Sequence, residues 1–243
     1  MNIYIYLIPF ISLIILALAF YIRRKFNLLY TLLSSVAGVV NNSNFFGFYR
    51  GVPITLDEWS LEVNALHQVY QEIIKFDRPV ILELGSGKSS ILLTYFLREF
   101  SQNGILHSIE HDQEFLSLIE KFISKNDCQK YWNAHDVPLV KTTIQEKSIL
   151  TYSMQDLGNV LQKANPDIVI IDGPPVSLSL DSKEKNTFAR SMLHHALEKL
   201  QRKPILFIDD ANRPGEMLLI ENLKKIGYTA STYKSAKGFV KMQ

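Results

Sequence analysis

The chain opens on one long apolar run and then settles into short apolar runs alternating with amphipathic stretches. Ile3 to Ile22 is twenty residues without a charge, and at about 1.5 Å per residue that length just spans the hydrocarbon core of a bilayer. Arg23-Arg24-Lys25 follows at once, and no Lys or Arg precedes the run. The positive-inside rule then puts the rest of the chain in the cytosol. A cleavable signal peptide is the rival, with Ala17-Leu18-Ala19 as its processing site. It lacks a basic leading region, and three positive charges directly after it oppose translocation. The pattern predicts a single-pass anchor over residues 1–25, a juxtamembrane segment and linker over 26–54, and a globular domain over 55–243 facing the cytosol. Leu28, Leu29, Leu32, Leu33 and Val36 recur at helical spacing; such a stripe suits either a membrane surface or packing on the domain.

From Thr55 onward the periods of strand and helix alternate. Thr55 to Phe76 reads as a helix opened by the capping box Thr55-Leu56-Asp57-Glu58. Val80 to Leu84 is a buried strand, and Ile91 to Phe100 continues the helix behind it. Leu106 to Glu110 is the second strand, Gln113 to about Lys125 the next helix, and Leu139 to Ile144 the third strand. After a helix from Met154 to Ala164, Asn165-Pro166 breaks the chain before the apolar strand Ile168 to Asp172. A helix from Lys185 to Leu200 leads to the strand Ile205 to Asp209, and a helix from Gly215 to Ile226 is closed by Gly227. Tyr228 to Tyr233 and Phe239 to Met242 are the last strands. Such alternation predicts an α/β domain, a mostly parallel sheet with helices on both faces.

The first strand runs into Glu83-Leu84-Gly85-Ser86-Gly87-Lys88-Ser89-Ser90, a glycine turn that opens a helix. Glycines there let backbone approach a ligand. Three ligands compete. A nucleoside triphosphate would need G-x-x-x-x-G-K-[ST], but Leu82 stands where the first glycine belongs. Lys88 therefore reads as a solvated lysine in the first helical turn. A dinucleotide would accept Gly85-x-Gly87-x-x-Ser90, with Glu110 downstream for a ribose; Glu83, however, would repel a pyrophosphate. S-adenosylmethionine has no phosphate and carries an ammonium and a sulfonium, so it turns Glu83 into an asset.

Glu83-x-Gly85-x-Gly87-x-Ser89 resembles the acid-x-Gly-x-Gly-x-Gly motif of the class I methyltransferases, with serine for the last glycine. The resemblance covers about Val80 to Gln243 and implies a Rossmann-like sheet of seven strands, the final one antiparallel, placed after the one transmembrane helix that the apolar run predicts. It also implies S-adenosylmethionine as cofactor, with Gly85, Ser86 and Gly87 along its methionine part, Glu83 toward its positive charges and Glu110 on its ribose. His111 and Asp112 follow directly and by the same resemblance flank the adenosine, with Asp112 alternatively the N-cap of the next helix. In such sheets ligands bind beyond the carboxyl ends of the strands, where Glu83, Glu110, Asp172, Asp209 and Asp210 all fall.

Ile171-Asp172-Gly173-Pro174-Pro175, Phe188-Ala189-Arg190 and Ile208-Asp209-Asp210-Ala211-Asn212-Arg213 are similar to segments of methyltransferases that act on sugars and polysaccharides. Asp172 and Asp209-Asp210 also resemble the metal ligands of catechol-type O-methyltransferases. Neighbouring strands lie about 4.8 Å apart, so carboxylates at adjacent ends can share a magnesium or manganese ion that orients the acceptor oxygen. The alternative is that Asp172 accepts from the Gly173-Pro174 turn while Asp209 or Asp210 caps a helix, with Arg213 balancing charge. The catechol-type enzymes carry a lysine where this chain has Pro175, so Asp209 or Asp210 is the candidate base, and Asp172, Asp209 and Asp210 form the catalytic set. Arg190 and Arg213 either bind an acidic acceptor or serve a solvated face. His194-His195 read as packed or surface residues. Trp59, Tyr49 and Phe48 suit a sugar ring or the core, and Val176 to Lys185 reads as a lid over the acceptor.

Composition narrows little further. A net charge of +2 on 243 residues gives no nucleic-acid signature. The single cysteine, Cys128, excludes an internal disulfide and fits an apolar filler in a reducing compartment. The reading is a membrane-anchored methyltransferase moving a methyl group to an oxygen of a small hydroxylated or glycan acceptor. A nucleotide-dependent ATPase, an NAD-binding oxidoreductase and a non-catalytic membrane scaffold of the same fold are the alternatives.

Overall fold

The computed structural model describes residues 14–26, 60–101, 103–144, 146–176, 186–233, 235 and 237–243. Residues 14–26 are helical (α1) and exposed throughout, with Leu16 and Phe20 at 67% and 72%. The first half of the expected span lies outside the described residues. Among those described, no helix is long and apolar enough to cross a membrane.

Seven strands form one sheet: β1 (Val80–Leu84), β2 (Ile105–Glu110), β3 (Trp132–Asp136), β6 (Ile168–Ile171), β7 (Ile205–Asp209), β8 (Ala230–Tyr233) and β9 (Phe239–Met242), in the order β3-β2-β1-β6-β7-β9-β8. The strands β3-β2-β1-β6-β7 pair in parallel, and β9 enters antiparallel between β7 and β8. The Rossmann-like sheet expected from the alternating periods is thus present. Its strand order changes direction between β1 and β6, which opens a crevice at their carboxyl ends.

Helices α2 (Val63–Ile73), α3 (Lys88–Phe100), α4 (Gln113–Lys125), α5 (Met154–Ala164), α6 (His194–Leu197) and α7 (Pro214–Lys225) cover the sheet. Buried strands alternate their side chains between two apolar layers. Ile81, Ile168, Ile170 and Phe207 join Tyr70 and Phe96 of α2 and α3 on one face. Leu82, Leu84, Val169, Ile171 and Ile208 join Leu157, Leu219 and Leu223 of α5 and α7 on the other.

Three expectations need correction. The third sheet strand is β3, not Leu139 to Ile144; the latter is β4 (Leu139–Ile144), paired only with β5 (Lys147–Tyr152) in a separate antiparallel ribbon. An edge strand as polar as Trp-Asn-Ala-His-Asp leaves no apolar run to find. The helix expected from Thr55 begins at Val63, with Glu62 as its extended N-cap; the Thr55 capping box lies outside the described residues. The helix expected over Lys185 to Leu200 is α-helical only at α6. Before it, Ser191 and Leu193 bond back three residues, to Phe188 and Arg190. Asn186 is held by both backbone groups of Leu150, and Arg190 by carbonyls of the Asp172–Pro174 segment. Those tethers fix a tighter, irregular path.

Candidate active site

At the crevice a cavity of about 490 Å³ is lined by the glycine turn, by Glu110, His111, Asp112 and Phe115, and by Asp172, Gly173, Pro175, Val176, Arg190, Asp210, Arg213, Lys88, Lys237 and Ser60. That volume suits a small-molecule cofactor with part of a second ligand. The sequence-derived set is therefore largely brought together, with two exceptions, Glu83 and Asp209.

The turn depends on Gly85, whose φ of +94° and contact with the Gly173 amide, 2.9 Å from where a Cβ would lie, leave no room for a side chain. Gly87 differs. Its φ is −179° and a Cβ there meets nothing within 4 Å, so its small size keeps the cavity open rather than the backbone possible. All three N–H groups of the turn are used internally. Gly85 donates to the Ile109 carbonyl (3.0 Å), Ser86 to Glu110 Oε2 (3.2 Å) and Gly87 to Ser90 Oγ (2.9 Å). Phosphate loops instead turn such groups toward the ligand.

Glu83 is placed differently from the expectation. It is the penultimate residue of β1, so strand alternation points it sideways beneath α3 rather than beyond the sheet edge. It is fully buried, does not line the cavity, and accepts from Ser89 and Ser90, with Ser108 Oγ at 3.4 Å. Burial pushes its carboxyl up to about 7 although those hydroxyls favour the anion.

Glu110 ends β2 and does reach the cavity. Its Oε1 accepts from the N–H groups of His111 (2.8 Å) and Asp112 (3.0 Å), and His111 Nδ1 lies 2.6 Å from the same oxygen. Asp112 is the N-cap of α4, accepting from the Phe115 amide at 3.0 Å, and it also lines the cavity. Of the two readings of Asp112, the helix cap is the one the geometry displays.

Across the crevice the acids crowd. Carboxylate oxygens of Asp172, Asp209 and Asp210 lie within 4.8 Å of one another. Burial pushes Asp172 up to about 7, with Arg190 opposing the rise and Asp210 adding to it. Burial and then Asp172 drive Asp209 well above the usual carboxylate range. Asp209 is buried behind the wall, and its Oδ1 has no hydrogen-bond partner among the described residues. Asp210 takes a left-handed φ of 55° that turns its side chain to Arg213, 2.7 Å away.

Arg190 is only 3% exposed. It donates to the carbonyls of Asp172 and Pro174 and sits 3.1 Å from Glu216 and 3.6 Å from Asp210. Its charge faces the protein's own acids, and both Arg190 and the half-exposed Arg213 reach the cavity wall. Sequence reasoning missed Glu216, Lys237, Ser60 and Phe115. Glu216 alone left a signal, an acid in the first turn of α7 near the Asp209-Asp210 pair. The rings of His194 and His195 lie 3.9 Å apart and are tilted by 37°; neither residue lines the cavity. Cys128 is buried filler, as expected. Phe48, Tyr49, Trp59 and 177–185 lie outside the described residues.

No family model matches the chain, and no curated protein matches its sequence. Solved structures do match its fold. A precorrin-6y C5,15-methyltransferase from Geobacter metallireducens is similar with a TM-score of 0.52 at 13% identity, over 78% of this chain and 91% of that one. The O-methyltransferase TomG from Streptomyces achromogenes, solved with SAM, gives 0.51 at 14%, over 90% and 95%. An O-methyltransferase from Bacillus cereus, solved with SAH, gives 0.50 at 13%, over 86% and 89%. The chain thus has the Rossmann-like fold found in these methyltransferases.

Proposed function

We propose that this protein is a membrane-tethered methyltransferase that moves the methyl group of S-adenosylmethionine to an oxygen of a small hydroxylated acceptor, such as a sugar or glycan precursor. The observation that carries the reading is the glycine turn, whose three N–H groups are spent internally beside Glu110. Such a turn offers little to the phosphates of ATP or NAD and suits a cofactor without them. The TomG and Bacillus cereus neighbours, with SAM and SAH in their structures, support the same cofactor. The exposed apolar face of α1, followed by Arg23-Arg24-Lys25, supports the tether.

The bound cofactor supplies an electrophilic methyl group. Gly87 leaves space for its methionine part and Glu110 accepts its ribose hydroxyls. Asp172, pushed up to about 7 and facing the cavity, would take the proton that the acceptor hydroxyl loses on methylation. Arg213 orients the acceptor. The three aspartates also fit a magnesium or manganese ion, because the orphaned Asp209 Oδ1 and its two neighbours make a compact all-oxygen donor set. Asp172, Asp209 and Asp210 would hold it, and it would acidify the acceptor hydroxyl.

Calorimetry of the detergent-solubilised chain with S-adenosylmethionine, S-adenosylhomocysteine, ATP and NAD tests the cofactor. Binding of both adenosyl compounds is expected; binding of ATP or NAD alone overturns the reading. Turnover of model sugars with excess chelator tests the ion, and full activity there would remove it from the scheme.

A further inference from the structure

Beneath the glycine turn, the hydroxyl protons have one available direction. An ionised carboxylate only accepts, and each serine has one proton to give. Ser89 and Ser90 therefore both donate to Glu83, one to each oxygen. Having given its proton, Ser90 Oγ accepts the Gly87 N–H at 2.9 Å, and its 3.2 Å contact with Ser86 Oγ requires Ser86 to be the donor. On the far side Trp132 Nε1 donates to Ser108 Oγ at 2.9 Å, and the Ser108 proton faces both Glu83 Oε2 at 3.4 Å and Ser90 Oγ at 3.5 Å. With Glu83 ionised, which its raised value of about 7 places on the alkaline side of neutral, two relays converge on it.

Ser86 is the end of this relay that lines the cavity. Its hydroxyl proton points inward to Ser90 and its amide points to Glu110, so what remains for a ligand is lone pairs. We infer that Glu83 is a positioning residue that polarises Ser86 through Ser90, making the turn an acceptor that selects a ligand carrying an ammonium group. This rests on the methyl-donor reading, in which the amino-acid half of the cofactor lies at this turn. It replaces direct contact between Glu83 and the cofactor with contact relayed through two hydroxyls.

Protonating Glu83 removes the sink and frees the relay to reverse. The other titratable groups acting on it are Glu110 on β2, Asp172 beyond β6 and Tyr152 on β5. Neither Glu110 nor Asp172 would stabilise its anion.

Two probes separate the inference from a merely structural role: S-adenosylhomocysteine, and its deamino analogue, which keeps the carboxylate and lacks the ammonium. Calorimetry on the full chain is expected to show Glu83→Gln and Ser86→Ala each weakening S-adenosylhomocysteine by about tenfold, the scale of one lost hydrogen bond to a charged group. The deamino analogue should change by less than about twofold. The wild type should lose affinity for S-adenosylhomocysteine as pH falls below about 7, and Glu83→Gln should not. Equal losses for both probes, or none for either, overturn the inference. Should Glu83→Gln fail to fold, Ser90→Ala cuts the same relay and carries the same expectation. Failure of the wild type to bind S-adenosylhomocysteine at all would instead remove the methyl-donor reading beneath it.

Discussion

Glu83 and Glu110, on β1 and β2, are met by hydroxyl and amide donors, whereas Asp172, Asp209 and Asp210, beside β6 and β7, are met by guanidinium groups and by one another. The two halves begin from the same sequence device, an apolar strand with an acid at or near its end. Their chemistry diverges because of what the neighbouring elements deliver. The N-terminus of α3 brings serines to Glu83, and a loop and α7 bring Arg190 and Glu216 to the aspartates. One half holds its acids with neutral donors. The other stores charge that a proton or a cation can relieve.

The largest expected effect breaks the second half alone. Asp172→Asn should lower kcat by about a thousandfold, within the range for loss of a general base, while S-adenosylhomocysteine affinity by calorimetry stays within about threefold. Equal losses in both would merge the two halves into one site. Next, Gly85→Ala should weaken that affinity by about a hundredfold or more, because a Cβ meets the Gly173 amide in a left-handed backbone. Gly87→Ala should leave the melting temperature unchanged and weaken only binding, since its Cβ occupies ligand space.

Arg190→Met comes third. Removing a buried charge that serves several acids should cost about 3–5 kcal/mol in chemical denaturation. Arg213→Met, at a half-exposed pair, should cost about 0–1 kcal/mol. Similar costs for both would mean that Arg190 is not the counter-ion of the aspartate cluster.

The smallest effect is on pH. Glu83 and Asp172 have folded values near 7, raised from 4.5 and 3.8, so the folded protein binds more protons than the unfolded chain between those limits. Their contribution to stability is full below about 4 and is lost as pH rises to about 7. Melting temperature measured from pH 5 to 7.5 should show a downward component that Glu83→Gln and Asp172→Asn each reduce. If neither variant changes the slope, both acids are already ionised across the range.

Much of this was legible because it is local. The apolar runs of β1, β6 and β7, the asparagine and glycine that end α5 and α7, and the acids after apolar runs all carry their structural meaning within a few residues. The polar edge strand β3 carried no such signal, and the irregular stretch before α6 was read as helix because its tethers, Asn186 to Leu150 and Arg190 to Asp172, come from far along the chain. The same holds for Arg190, which looked like a solvated or acceptor-binding arginine until Glu216 and Asp210 were folded around it.

The sequence by itself determined the alternating α/β order, the glycine turn and which strands end in acids, because period and turn chemistry are properties of neighbouring residues. Only the tertiary structure decided that Glu83 lies under α3, that Asp209 sits behind the cavity wall and that Arg190 is spent on the protein's own carboxylates. Those outcomes depend on which donors distant segments bring to each acid, and burial makes that choice decisive for its charge.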